Sequence, residues 1–340
     1  MGTTWIVLWC ACLLVCVHAL APTIKLNDGR ETPLIAFGTW LGNSSQGRVK
    51  PQYNETEQAV LWAIDAGYRH VDTAMIYMVE DQVGRAINAK IDQGVITRED
   101  IFVTTKLWND QHARDAVVPA LRASLARLNL DYVDLYLIHW PVGQFANGTF
   151  DSTDYLDTWR GMVEAKQLGL TRSIGVSNFN QHMLDRILNS GLERPAVNQI
   201  EINLNLQQPK LLEYCKQQNI TVMAYTPFGS LFPTKATPDA PPPRVDDPVL
   251  VEMAGRYNKT VPQVALRYLI ELGVIPIPKS LTKSRIEQNF QVFDFTLKEQ
   301  DKDVLKKYDT GYRTVLQLKW FDHPYYPFEK DHTNANTPRV

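Results

Sequence analysis

The sequence predicts an α/β fold, a TIM-type (β/α)8 barrel with an N-terminal β-hairpin, two extra helices and a C-terminal loop over the barrel mouth. Three observations predict it. Strand-like and helix-like runs alternate through eight units, which argues for one closed parallel sheet and against a doubly wound one. The length, 340 residues, suits a single barrel. Three consecutive strand-like runs end in Asp72, Lys106 and His139, and Tyr77 follows in the loop after the first of them. Barrels present chemistry at strand ends and in the loops just beyond.

The elements follow in order. Residues 25–30 read as a hairpin with Asp28-Gly29 at its turn. The strand–helix pairs are then 34–40 with 57–66, 70–74 with 81–91, 101–107 with 114–128, and 133–140 with 152–168. They continue as 173–176 with 181–188, 197–202 with 208–218, 221–226 with 248–257 and 261–272, and 274–278 with 283–290. The β-branched and aromatic content of the short runs fits strands buried on both faces. A last helix spans 298–306, and an irregular tail runs from 310 to 340. The stretch 233–248, which contains Pro241-Pro242-Pro243, reads as an extended loop.

The start of the chain has a different character. Residues 5–17 form an unbroken apolar run too short for an ordinary membrane span. Ala19 and Ala21 each offer a small-residue cleavage site, although no Lys or Arg precedes the run. Residues 1–19 are therefore expected to be a secretory signal peptide and 22–340 a single domain. Cys10, Cys12 and Cys16 lie in the signal, which leaves Cys215 alone and no internal disulfide. Five Asn-X-Ser/Thr sequons occur, and those at Asn43, Asn54 and Asn147 fall in polar, loop-like stretches suited to N-glycans.

Composition and motifs exclude several classes. A net charge of −2 and the lack of a basic patch give no field for nucleic acid or for stable membrane association. No two glycines are separated by one residue, so G-x-G-x-x-G cannot occur. Walker A, a nucleophile elbow and zinc-ligand spacings are also absent. What remains is a set of proton-transfer parts: Asp72, Tyr77, Lys106 and His139. Asp72 alone could cap a turn and Tyr77 alone could be packing. A buried Lys106 is harder to explain that way, since an unpaired buried ammonium is costly.

The segments PLIAFGTW, GYRHVDTAMIY, IFVTTKLW, DLYLIHWP, IGVSNF, VNQIEI, AYTPFGS and IPIPKSLTKSRIEQNF, in this order, resemble those of the aldo-keto reductases over residues 23 to about 328. Within that family the chain resembles the secreted insect reductases of 3-dehydroecdysone, a steroid ketone. The resemblance implies metal-free reduction of aldehydes and ketones by NADPH, bound extended across the barrel mouth. It implies a monomer whose partner is a small-molecule carbonyl substrate. It assigns Tyr77 as general acid, Lys106 as the group that tunes it, Asp72 as the carboxylate that holds Lys106, and His139 as the group that orients the carbonyl. The chemistry is reasonable on its own terms, because a phenol near pKa about 10 donates sluggishly and a nearby ammonium lowers that value.

The same resemblance places Ser177, Asn178 and Gln199 on the nicotinamide amide and Tyr225 against the nicotinamide ring, with Thr39, Trp40 and Asp72 bordering it. Thr226, Phe228 and Ser230 follow along the cofactor. Lys279, Ser280, Thr282 and Arg285 match the holders of the 2′-phosphate, and Gln288 and Asn289 lie at the adenine. Thr226, Phe228 and Gln288 depart from the usual residues, as does Asn203-Leu204-Asn205 after Gln-Ile-Glu. Trp40, Tyr77, Trp108, His139 and Trp140 are expected to line the substrate pocket, with Trp320 and Phe321 reaching it from the tail. Two other readings stand beside the ketone reductase: a broad reductase of lipid aldehydes, and a barrel that binds NADPH without turnover.

Export is testable directly. Expressed in eukaryotic cells, the protein is expected in the medium, shortened at its N-terminus and reduced in mass by a glycosidase. Full-length protein held in the cytosol would contradict the reading.

Overall fold

The computed structural model describes residues 20–44, 47–49, 51–234 and 236–329. The signal expected over 1–19, and the side chain of Asn43, lie outside the described residues. Eight parallel strands form one sheet in sequential order: β1 (Phe37–Gly38), β2 (His70–Asp72), β3 (Phe102–Leu107), β4 (Val133–Ile138), β5 (Thr171–Ser177), β6 (Val197–Glu201), β7 (Thr221–Tyr225) and β8 (Val274–Pro276). The sheet closes on itself: the amides of Ala36 and Gly38 donate to the carbonyls of Pro276 and Pro278, each at 3.0 Å. Both strands at this seam are shorter than the sequence suggests. Pro276 and Pro278 have no N–H to donate, so the ladder between β1 and β8 runs in one direction only. At the seam a Cβ on Gly38 would sit 3.0 Å from Ile277 Cγ2, so a side chain there would have to push Ile277 aside.

Successive strand side chains point to opposite faces, and this alternation decides what enters the barrel. Val71, Val103, Ile138, Ile174, Val176, Ile200, Val222 and Ala224 face the helices in the main core. Residues of the other parity, among them Phe102, Leu135, Leu137, Val197, Met223, Ile275 and Ile277, fill the interior. Asp72, Lys106, His139, Ser177, Gln199, Glu201 and Tyr225 share the inward parity at the C-terminal strand ends. The interior is thus apolar below and polar at the mouth. The hairpin, Thr23–Lys25 paired antiparallel with Glu31–Pro33, closes the other end, with Leu26 buried among the interior side chains.

The outer ring holds α1 (Glu55–Ala66), α2 (Glu80–Asp92), α3 (Arg114–Leu128), α4 (Tyr155–Gln167), α5 (Gln181–Leu188), α6 (Pro209–Gln217), α7 (Pro248–Arg256), α8 (Val261–Glu271), α9 (Lys283–Phe290) and α10 (Glu299–Lys306). The extra helices α7 and α10 pack on α8 in a satellite core of Leu250, Met253, Val264, Tyr268 and Leu305. The starts of α7 and α8 are set by local chemistry. Asp247 caps α7 by accepting from the amides of Val249 and Leu250, and Thr260 with Gln263 forms a capping box on α8. The connection between residues 133–140 and 152–168 contains a short hairpin of Gly143–Gln144 against Phe150–Asp151. Asn147 lies exposed at its turn. No helix among the described residues is long and apolar enough to cross a membrane.

Candidate active site

β2 ends at Asp72 and β3 carries Lys106, and both side chains are almost fully buried at the barrel mouth. Lys106 Nζ donates to Asp72 Oδ1 at 2.6 Å, to the carbonyl of Thr73 at 3.0 Å and to Tyr77 Oη at 3.3 Å. These are the three donors of an ammonium, all assigned. The other carboxylate oxygen, Oδ2, accepts from Gln199 Nε2 at 2.8 Å. Because Tyr77 Oη accepts from Lys106, its own proton is directed elsewhere, and the mouth is the open side. A 3₁₀ turn, Met75–Tyr77, presents this phenol, and Met78 just after it adopts a left-handed φ of 60°.

The electrostatics amend one expectation. Burial of the hydroxyl end, then the Asp72 charge and Tyr225, push the Tyr77 phenol well above its ordinary value. Burial also lowers the Lys106 ammonium, and Asp72 opposes that shift. The ground state is therefore a protonated phenol, not one already acidified by its ammonium neighbour. A cation fixed 3.3 Å from Tyr77 Oη would contribute most if negative charge developed on that oxygen. Below the site, burial and then the Lys106 charge hold His70 down to about 3. His70 is neutral there, bridging Thr32 and Thr104 without opposing Lys106.

His139 follows β4, and its ring stands edge-on to Tyr77 at 5.6 Å between centroids and to Trp108 at 5.2 Å. Trp40 packs on Tyr77 at 4.9 Å. Trp320 of the tail is buried against Trp108 at 6.1 Å and Trp140 at 5.1 Å. Phe321 belongs to the same apolar cluster and stacks on Tyr326. The aromatic set read from the sequence thus converges on one wall beside the phenol.

The residues expected at the nicotinamide form a single network. Thr39 Oγ1 donates to the Asp72 carbonyl at 3.0 Å. Ser177 Oγ donates to the Gln199 carbonyl at 2.8 Å, Asn178 Nδ2 to the His139 carbonyl at 2.9 Å, and Tyr225 Oη to Asn178 Oδ1 at 2.7 Å. Gln199 was not expected to hold Asp72, and that contact leaves its Oε1 as the end that can accept from an amide. Asn178 and Thr226 sit at positive φ, 63° and 49°. For the β-branched Thr226 this is strained backbone of the kind that clusters at functional loops.

The arc beyond also fits a phosphorylated cofactor. Ser230 is buried, and its Oγ is among the buried side-chain atoms with no hydrogen-bond partner. Phe228 stands edge-on to Phe232, and a Cβ at Gly229 would lie 2.5 Å from the Asn203 side chain, so this turn requires glycine. Thr282 precedes α9 without capping it through its side chain, and Arg285 in the first turn is exposed. Lys279 lies next to Gly38 across the seam, Ser280 Oγ accepts from the Thr282 amide at 3.0 Å, and Asn289 is buried behind them. Gln288 is exposed on the same helix. Among the described residues no cluster of His, Cys, Asp or Glu could hold a metal ion.

The buried pair carries a measurable consequence. Lys106→Met leaves Asp72 held by Gln199 alone, and breaking such a pair typically costs about 3–5 kcal/mol. The variant is expected to unfold at lower urea, and adding Asp72→Leu should recover most of the loss, since no uncompensated charge then remains. A Lys106→Met protein as stable as its parent would contradict the pairing.

Comparison with known proteins gives the chain its relatives. The model of the aldo/keto reductase family matches residues 34–310. An aldo-keto reductase of Bombyx mori, AKR2E4, is 49% identical over 307 residues, covering 90% of this chain and 98% of the relative. The aldo-keto reductase family 1 member C18 of Rattus norvegicus is 40% identical over 322 residues, covering 91% and 98%. The crystal structure of the Bombyx mori AKR2E4 in complex with NADP superposes with a TM-score of 0.87 at 48% identity, covering 91% of this chain and all of that one. With a match across most of its length and a barrel of the same build, this chain belongs to the aldo/keto reductase family.

Proposed function

We propose that this protein reduces a ketone or aldehyde to the alcohol with NADPH, and that Tyr77 gives the proton. The observation that carries the reading is the position of Lys106 Nζ, 2.6 Å from Asp72 and 3.3 Å from Tyr77 Oη. When bound, the cofactor supplies the hydride. Tyr77 points its proton into the mouth and transfers it to the carbonyl oxygen, which becomes far more basic than a phenolate as the alcohol forms. Lys106 stabilises the phenolate left behind, and Asp72, tied down by Gln199, keeps Lys106 charged and in place. His139 donates a hydrogen bond to the carbonyl oxygen and fixes its direction. The aromatic wall keeps water from the reacting atoms, where these fixed charges act most strongly.

Ser177, Asn178 and the Oε1 of Gln199 would receive the nicotinamide amide, with Tyr225, Thr39 and Trp40 around the ring. Thr226, Phe228 and Ser230 would line the pyrophosphate, Lys279, Ser280, Thr282 and Arg285 the 2′-phosphate, and Gln288 and Asn289 the adenine. Among carbonyls, a ketone on a large apolar frame such as a steroid is favoured over a short aldehyde. The support is the extent of the wall, which brings Trp40, Trp108, Trp140 and Trp320 to one mouth. We also propose that the protein acts outside the cell, on the strength of its apolar N-terminus and of exposed sequons at Asn54 and Asn147.

The purified protein should oxidise NADPH with a ketosteroid and, less efficiently, with a short aldehyde. Lys279 and Arg285 offer charge-assisted contacts worth about 1.5–3 kcal/mol each. The kcat/KM with NADPH is therefore expected to exceed that with NADH by about tenfold or more. Equal values would refute the assignment of the phosphate site. Cofactor binding without turnover of any carbonyl would instead favour a regulatory barrel.

A further inference from the structure

Glu201 ends β6 on the inward face, two residues beyond Gln199, and is fully buried. Its carboxylate serves the C-terminal segment. Oε1 accepts from the amide of Thr314 at 2.8 Å, from the Thr314 hydroxyl, and from Asn203 Nδ2 at 3.2 Å. Oε2 accepts from the amide of Val315 at 3.0 Å. Three of these four donors belong to the tail, and two are backbone groups. The neighbouring Asn205 adds to the clasp: its carbonyl accepts from the amides of Thr310 at 3.1 Å and Tyr312 at 3.0 Å. Residues 310–315 are thus fastened to the end of β6. From Val315 the chain runs five residues to Trp320, which packs on Trp108, which stands edge-on to His139.

We infer that Glu201 is a positioning residue for the substrate pocket, clasping Thr314 and Val315 so that Trp320, and through it Trp108, forms the wall that receives a large apolar carbonyl compound. Glu201 touches no reacting group and acts through what it holds: the tail, which supplies three of its four donors, and to a lesser extent Asn203. The clasp needs two acceptor oxygens. Glu201→Gln keeps the shape but presents N–H to at least one tail donor, whichever way the amide turns. A buried donor left unsatisfied is costly, and the tail can escape that cost by lifting into water. A short aldehyde needs only Tyr77 and His139, whereas a large ketone also needs the wall. The kinetic part of this inference rests on the reductase reading above.

The test compares the parent with Glu201→Gln and with Thr314→Val, which removes one tail donor and leaves the barrel untouched. Limited trypsin digestion reports the clasp without any turnover, because Arg313 is buried in the folded tail. Cleavage after Arg313 is expected to quicken about tenfold or more in Glu201→Gln, and by less in Thr314→Val. The KM for a ketosteroid should rise about tenfold with a smaller change in kcat, while the KM for a short aldehyde and the affinity for NADPH stay within about twofold. Unchanged tryptic cleavage and unchanged ketosteroid KM in both variants would overturn the inference. So would an equal loss with large and small substrates accompanied by weaker NADPH binding, which marks a general structural defect. If Glu201→Gln fails to fold, Thr314→Val decides alone by the same readouts. If the parent reduces no carbonyl at all, the reductase reading fails, and the digestion still decides whether Glu201 holds the tail.

Discussion

Two opposite charges, Asp72 and Lys106, lie out of water at the mouth of the barrel. Withdrawing each from solvent costs several kcal/mol, and their attraction offsets that cost only if every remaining donor and acceptor is satisfied. The surrounding structure meets this condition. Gln199 takes the second carboxylate oxygen, the Thr73 carbonyl takes one ammonium proton, and Tyr77 takes another. The phenol is therefore part of the stoichiometry of the pair. Its hydroxyl is oriented by an electrostatic requirement that exists without any substrate, and its proton is turned away from the ammonium.

The barrel is what makes such a pair affordable. Strand alternation puts apolar side chains below and polar ones at the top of the same inward face, so desolvation and hydrogen-bond partners come from the same strands. The seam is closed by bonds to two proline carbonyls, and Gly38 packs closely on Ile277 with Lys279 beside it. The strained backbone at Asn178 and Thr226 is held by hydrogen bonds around it, since the Asn178 side chain has contacts from both ends and the Thr226 carbonyl accepts from Asn203. The tail completes the enclosure. It is anchored by a second buried carboxylate, Glu201, on the strand that also carries Gln199. One strand thus holds Asp72 through Gln199 and the tail through Glu201.

Much of this was legible in the order of residues. Asp72, Lys106 and His139 each end a short apolar run, which is a local pattern, and the eight alternating units follow from periodicity. The parts that were not legible share a physical reason. Gln199 reaches Asp72 across 127 positions, and Glu201 reaches Thr314 across 113. Such contacts leave no periodic trace in either segment. Glu201 drew no reading from the sequence, because its partners lie in a tail with no regular pattern of its own. The direction of the Tyr77 shift was misjudged because the ammonium was counted and the burial and the nearby carboxylate were not. The hairpin of Gly143–Gln144 and Phe150–Asp151 is too short to show alternation.

The claim that the pair exists to aim the Tyr77 proton is tested most directly by Tyr77→Phe, which removes one hydroxyl and keeps the ring. NADPH affinity, followed by fluorescence, and turnover of one ketone should be measured on the same preparation. The account predicts affinity within about twofold of the parent and turnover lowered by about 10²–10⁴-fold, the range typical for loss of a general acid. Near-normal turnover with intact binding would contradict it.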